Sequence, residues 1–311
     1  MTAGGGARRA DIVVNPISGS SAAKASLARF RAELERAGWD VRLRPTERAG
    51  HAPDLAHAAA LDGASAVVAA GGDGTINEVA SGLLRAGAAA PPLAVLARGT
   101  SNLVAREFGI PFDPVGAART LAGGAVRTLD TVDIGASGPS GPVRRTMLAC
   151  AGAGWDAHVV AALAAKRRGH ITVRTWFAPI ASALRDYDFP VFRVEAPGEP
   201  PREAVLALFL NCRPYAKFFT PAPGARPDDG LLDAVIVSPD GRDHLPRIAW
   251  RAWRRTLAAD PCVTIVRAAS FRIAADRPVP LPVDGDPAGA VPADLTVRRG
   301  ALRIFVPGGA R

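Results

Sequence analysis

A layered α/β domain followed by a β-rich domain, a β-sandwich, is the fold class this sequence predicts. Two observations carry the first half. Short apolar strands alternate with helix-periodic segments from Ala10 to Leu96, and Gly-, Ser-, Thr- or Asn-bearing loops follow three of those strands. A third carries the second half. Past Arg127 the helical period fades and strand-like runs separated by Pro and Gly loops take over. The boundaries expected are 1–127 for the α/β domain, with 297–311 returning to it, and 128–296 for the β domain.

Each element follows from local pattern. Ala10 to Asn15 is a short apolar strand. Ser21 to Ala37 repeats Leu27, Phe30 and Leu34 at helical spacing, and Gly38 stops it. Trp39 to Arg44 is a second strand, and His51 to Leu61 an Ala-rich helix. Ala64 to Ala70 is apolar throughout, as a central strand of a parallel sheet should be. It runs into Gly71-Gly72-Asp73-Gly74-Thr75, with a helix expected from Thr75 to Leu84. Leu93 to Leu96 is the fourth strand. The later runs are Thr128 to Ile134, Arg145 to Ala151, Val191 to Glu195, Ala204 to Asn211, Leu231 to Val237, Val263 to Val266, Ser270 to Ala274 and Val279 to Val283. Helical stretches near 156–186 and 244–257 interrupt them. The last strand, Ala301 to Val306, suits either domain.

Composition narrows the function classes. The 311 residues include 38 Lys plus Arg and 29 Asp plus Glu, a net charge of +9. All the cations are Arg except Lys24, Lys166 and Lys217. Arg grips planar anions through a fork of donors, so phosphate-bearing partners fit: nucleotide, nucleic acid or an anionic membrane. A genome-wide preference for Arg codons accounts for the same surplus. Cys150, Cys212 and Cys262 lie far apart, so neither a zinc site nor a disulfide scaffold is indicated, and a reducing cytosol is the natural compartment. No run of about 18 apolar residues exists, and the N-terminus lacks the apolar core of a signal peptide.

The loop Gly71 to Val79, GGDGTINEV, is the most informative. Two glycines after a buried strand let the backbone turn sharply and approach a ligand. The helix that follows aims its free N–H groups and dipole at the loop, which makes a phosphate site. It is neither a Walker loop nor GxGxxG. Asp73 is out of place there unless a cation or a proton-transfer role compensates for it; the alternative is a solvated turn residue. Asn15-Pro16-Ile17-Ser18-Gly19 and Gly99-Thr100-Ser101-Asn102 also end parallel strands, the edge where open α/β sheets bind ligands. In the second domain, Asp228-Asp229-Gly230 could hold a hard cation or simply turn before a strand. Asp284-Gly285-Asp286 places two carboxylates on a tight turn, and one charge can raise the other's pKa to make a base.

In order, NPISG, GGDGTINEV, LARGTSNLVAREFGIP, VDIG, ACAGAGWDAHVV, PGARPDDGLLDAVIV and VDGD resemble the diacylglycerol kinase catalytic-domain family, bacterial lipid kinases most of all. The resemblance spans Asp11 to about Val306. It implies a nucleotide-binding α/β domain, a β-sandwich and ATP in the cleft between them. By matching position, Asn15, Pro16, Ser18, Gly19, Thr46, Gly71 to Thr75, Asn77, Glu78, Gly99, Thr100 and Asn102 would line the ATP site. Asp133 falls where the family has an important carboxylate. Asp229 would bind a structural Mg²⁺ with main-chain carbonyls of Arg226 and Leu231. Asp286 stands where the family has a Glu that takes the proton; Asp284 or Asp73 are its competitors for that role. Asp is one methylene shorter than Glu, and about 1 Å of misplacement can cost on the order of 10²-fold in rate. Ala97 and the bulky Tyr215 to Phe219 also depart from the family pattern.

The implied reaction is ATP- and Mg²⁺-dependent transfer to a diacylglycerol-like lipid hydroxyl. An NAD kinase-like nucleotide kinase and a catalytically weak nucleotide-binding regulator are the alternatives. The lipid places the protein in the cytoplasm, peripheral to a membrane. His244 to Leu257 suits that: Arg247, Arg251, Arg254 and Arg255 share one face, Leu245, Ile248, Ala249 and Ala252 the other, with Trp250 and Trp253 along a border. The same helix could equally pack on the sandwich with a solvated Arg face. Lys166-Arg167-Arg168 is a second candidate contact. No nucleic-acid-binding module is present, and a homo-oligomer is neither indicated nor excluded.

Overall fold

The computed structural model describes residues 8–16, 21–155, 187–216 and 219–309. The chain divides into two compact units, Met1–Leu129 with Gly300–Arg311, and Asp130–Arg299.

In the first unit β1 (Arg9–Val14), β2 (Asp40–Pro45), β3 (Ala66–Gly71) and β4 (Leu93–Ala97) form a parallel sheet in the order β2-β1-β3-β4. β1, β3 and β4 are buried almost throughout; β3 and β4 are apolar along their length, and β1 is apolar from Ile12 to Val14. α1 (Ser21–Arg36) packs with α5 (Pro114–Gly123), and α2 (Ala52–Leu61) with α3 (Asp73–Arg85). Phe30 and Leu34 of α1 and Leu121 of α5 join Ile12, Val68 and Leu96 in one core. α5 starts cleanly because Asp113 accepts a hydrogen bond from the Gly116 N–H, and Pro114 sits at the first helical position. Between β4 and α5 lies the short α4 (Leu103–Glu107).

The second unit is mostly antiparallel. β5 (Ala125–Gly138) enters it and pairs with β6 (Gly141–Met147). β7 (Cys150–Gly154), β10 (Leu206–Leu210), β11 (Leu232–Val237) and β12 (Val263–Ala268) pair in sequence. β14 (Val279–Val283) joins β7 to β15 (Asp286–Val306), and β13 (Ser270–Ala274) joins β15 to β8 (Phe192–Glu195), which pairs with β9 (Arg202–Ala204). Phe209, Phe271, Leu281 and Leu295 centre its core. Cys150 and Cys212 are buried there as free thiols.

Several boundaries differ from the sequence reading. α3 begins at Asp73 with Gly72 as its N-cap, two residues before Thr75, so Asp73 belongs to the first turn. The run expected as one strand from Arg145 to Ala151 splits, because the Leu148 and Ala149 amides are taken by Asp284. Ala204 to Asn211 splits into β9 and β10. The final strand is the end of β15: Ile304 pairs in parallel with Leu93 of β4. The helix expected near 244–257 is α6 (Leu245–Trp253), flanked by 3₁₀ segments at Pro239–His244 and Leu257–Ala259. The helical stretch near 156–186, with Lys166 to Arg168, lies outside the described residues, as do Ser18 and Gly19.

Candidate functional site

In the α/β unit, two glycine loops meet. The exits of β3 and β4 are linked by the Arg98 N–H donating to the Gly71 carbonyl at 2.8 Å. A Cβ on Gly99 would lie 2.6 Å from the Gly72 Cα, so the two backbones touch only because both residues lack side chains. Gly72 caps α3 with no side-chain hydrogen bond, and the N-terminus of the helix, with the positive end of its dipole, faces the loop. Gly74, Thr75, Asn77 and Glu78, all half-buried, lie in the first turns of α3. Thr100 is exposed beside Gly99. Asn102, in the left-handed region at φ 50°, braces the second loop: its Oδ1 accepts from the Gly99 N–H and its Nδ2 donates to the Gly99 carbonyl, both at 2.8 Å. On the next strand exit, Asn15 and Pro16 are exposed, and the Thr46 N–H donates to the Val14 carbonyl at 2.9 Å. This brings Thr46 beside the Asn15 loop.

Asp73 resolves the conflict the sequence raised. Its carboxylate accepts N–H bonds from Asn102 at 2.8 Å and Leu103 at 2.6 Å, the start of α4. It therefore ties the two glycine loops together through backbone amides. Arg98 was not singled out by sequence reasoning. Its guanidinium is half-buried, burial draws its pKa down, and no carboxylate among the described residues pairs with it. An uncompensated cation at the join of two amide-lined loops favours anions there.

The β unit separates its carboxylates by their partners. Asp284 is buried, at φ 50°, and accepts three backbone N–H bonds, from Leu148 (2.8 Å), Ala149 (2.8 Å) and Cys150 (3.0 Å). Its own N–H donates to the Cys150 carbonyl at 2.8 Å. Asp284 thus pins the β14–β15 turn to the start of β7, and Asp286, half-buried at the head of β15, is held in place by that anchor. Two further residues complete the frame. The Asn211 Nδ2 donates to the carbonyls of Leu148 (2.7 Å) and Asp130 (2.9 Å), and Asp130 accepts from the Gly230 N–H (2.6 Å). Asp130 and Asn211 are fully buried. Asp130 lies among the mixed polar and apolar residues of β5, and Asn211 directly follows the apolar β10, so neither stood out in the sequence.

Asp133 is exposed on β5, 3.8 Å from Arg298. Asp229 accepts from the Leu231 N–H at 3.0 Å and pairs with Arg267, whose Nε also lies 3.3 Å from Asp233. Burial pushes the Asp233 carboxyl up, Arg267 pulls it down, and Asp229 adds to the rise. The Arg267 guanidinium supplies the positive charge that a structural Mg²⁺ would bring, and Arg226 turns its side chain to Asp228. In this arrangement the residues do not fit a structural metal, and the described residues hold no cluster of three or more His, Cys, Asp or Glu.

Such a frame, amide loops on a parallel sheet followed by an antiparallel β unit, defines a class of phosphate-handling α/β-plus-β proteins. Residues 9–134 match the diacylglycerol kinase catalytic domain, and residues 149–306 match the YegS C-terminal NAD kinase beta sandwich-like domain. The chain belongs to the family that joins these two domains, and is an ATP-dependent kinase with a hydroxyl acceptor. The diacylglycerol kinase of Staphylococcus aureus (strain JH9) is 28% identical over 301 residues, 96% of this chain and 93% of that protein. The crystal structure of a diacylglycerol kinase from Bacillus anthracis str. Sterne superposes with a TM-score of 0.73 at 18% identity over 98% of each chain. A second crystal structure from that strain reaches 0.77 at 20% identity, over 98% of this chain and 99% of the other.

Proposed function

We propose that this chain is a lipid kinase that transfers the γ-phosphate of ATP to the hydroxyl of a diacylglycerol-like lipid at a membrane surface. The observation that carries the reading is the close approach of Gly72 and Gly99, which sets two strand-exit loops of backbone amides side by side, as a phosphate site needs. Phosphoryl transfer asks a protein chiefly to position the reactants and neutralise charge. Asn15, Gly71 to Thr75, Gly99 and Thr100 position the nucleotide, with Thr46 at the next strand exit. Asn77 and Glu78 extend the same turn of α3. Arg98 offsets the phosphate charge. Mg²⁺ bound with ATP would supply further positive charge to the phosphates.

Asp286 takes the proton from the attacking lipid hydroxyl. Asp284 cannot easily share that work, because its carboxylate already accepts three backbone N–H bonds. Asp73 is likewise committed to two amides. Both act by holding the loops that carry the reacting groups.

The test is transfer of label from γ-³²P-ATP, with Mg²⁺, to diacylglycerol, sphingoid base, phosphatidylglycerol, ceramide and NAD in parallel. Label in a neutral glycerolipid supports the proposal. Label in NAD alone would make the protein a nucleotide kinase. Label in none, from folded protein that binds ATP, would leave a nucleotide-binding regulator.

A further inference from the structure

We propose that the outer face of α6 docks the β unit on an anionic phospholipid surface, an inference that names the partner surface of the lipid-kinase reading and rests on it only for its purpose. α6 divides its residues sharply. Leu245, Ile248 and Ala252 are buried against the unit. Arg247 and Arg251 do not point to a membrane, as the sequence suggested, but to the body: they lie 2.9 and 3.3 Å from the buried Asp260. Ala249, expected on the apolar face, is exposed.

What remains outside is small and specific. Trp250 and Trp253 are 57% and 59% exposed, one helical turn apart, so they form one patch. Two exposed indoles side by side on a nine-residue helix make a contiguous aromatic patch, and such patches mark interaction sites. The Arg254 guanidinium lies over the Trp250 ring, 5.7 Å from its centroid. Arg255 ends the helix in the left-handed region at φ 59°, with its N–H donating to the Ala252 carbonyl and the Thr256 N–H to that of Arg251. Glycine favours that position, so an arginine there is kept against a conformational cost. No acidic residue occurs within α6 or at Arg254 to Thr256.

Indole rings settle at the boundary between headgroups and acyl chains, and arginines beside them pair with lipid phosphates. The patch therefore complements a negative bilayer surface. The net charge of +9 gives the whole protein the same preference. Asp260 sharpens the geometry: by holding Arg247 and Arg251 it fixes the helix so that the tryptophans face out.

Sedimentation with sucrose-loaded vesicles, without ATP, tests this. Wild type should sediment with phosphatidylcholine–phosphatidylglycerol vesicles, weakly with phosphatidylcholine alone, and less at high salt. Trp250→Ser/Trp253→Ser and Arg254→Glu/Arg255→Glu should each weaken binding about tenfold or more, with the thermal midpoint unchanged. Leu61→Ser, which alters an exposed apolar residue of the other unit, should leave binding as it was. Variants that bind as wild type does, or a wild type that ignores anionic vesicles, would overturn the inference. So would a tryptophan pair that instead joins two copies, seen as a dimer that Trp250→Ser/Trp253→Ser dissociates without loss of vesicle binding. Because the assay contains no ATP, a chain that binds vesicles yet transfers no phosphate would overturn only the kinase reading.

Discussion

Three aspartates that look alike in sequence do three different things. Asp73, Asp284 and Asp286 all sit in Gly-bearing turns, and residue type gives no means of ranking them. Their partners do: two amides for Asp73 and three for Asp284. Asp284→Ala would leave three N–H groups at the start of β7 without their acceptor. Each costs about 1–3 kcal/mol, so we expect a loss of at least roughly 3 kcal/mol in urea unfolding. The glycines were easier to read, since a pair of them directly after a buried strand points to a sharp turn and a close backbone approach. Gly99→Ala would drive a Cβ to 2.6 Å from the Gly72 Cα. Calorimetric titration should show ATP affinity falling about tenfold or more, while Gly109→Ala, at a left-handed turn with open space around its Cβ site, should cost stability and not affinity.

At the scale of elements, local pattern located most strands and helices of the α/β unit and blurred those of the β unit. Alternating strands and helices announce themselves over a dozen residues. The break between β6 and β7 does not, because it is imposed by Asp284, more than a hundred residues away in sequence. α6 shows the same limit. Its amphipathic period was plain, but its orientation depends on Asp260, which lies beyond the helix. Burial alone would raise the Asp260 carboxyl; hydrogen bonds from Arg247 and the Cys262 N–H, with the charges of Arg247 and Arg251, hold it below the usual carboxylate range. A depressed folded pKa stabilises the protein at pH above the unfolded value of about 3.9 and is lost as pH falls through the folded value. Thermal midpoints measured from pH 6 to pH 2 should fall less steeply at the acid end in Asp260→Asn than in wild type. The sheet edge offers another case. Asp11 of β1 is fully buried and pairs with Arg9 and Arg44. Asp11→Ala should cost about 1–3 kcal/mol in urea unfolding, because it removes the buried carboxylate that Arg9 and Arg44 share while Arg44 keeps its second partner, Asp62.

For the molecule as a whole, the charge surplus first admitted nucleic acid, nucleotide and membrane alike. Part of the arginine content now has a place. Arg9, Arg44, Arg247, Arg251 and Arg267 serve buried or half-buried aspartates, and Arg98 stands by the glycine loops. Arg254 and Arg255 remain at the surface with two tryptophans. No helix among the described residues is long and apolar enough to cross a membrane. In the proposed mechanism Asp286 accepts the proton while its neighbours hold the frame. The most direct measurement is single-turnover transfer of ³²P from ATP to diacylglycerol by wild type, Asp286→Asn and Asp284→Asn, each matched for folded fraction and ATP occupancy. Asp286→Asn should lose at least about 10²-fold in rate with its thermal midpoint intact, whereas Asp284→Asn should lose stability first. An Asp286→Asn protein that transfers phosphate at the wild-type rate would contradict the account.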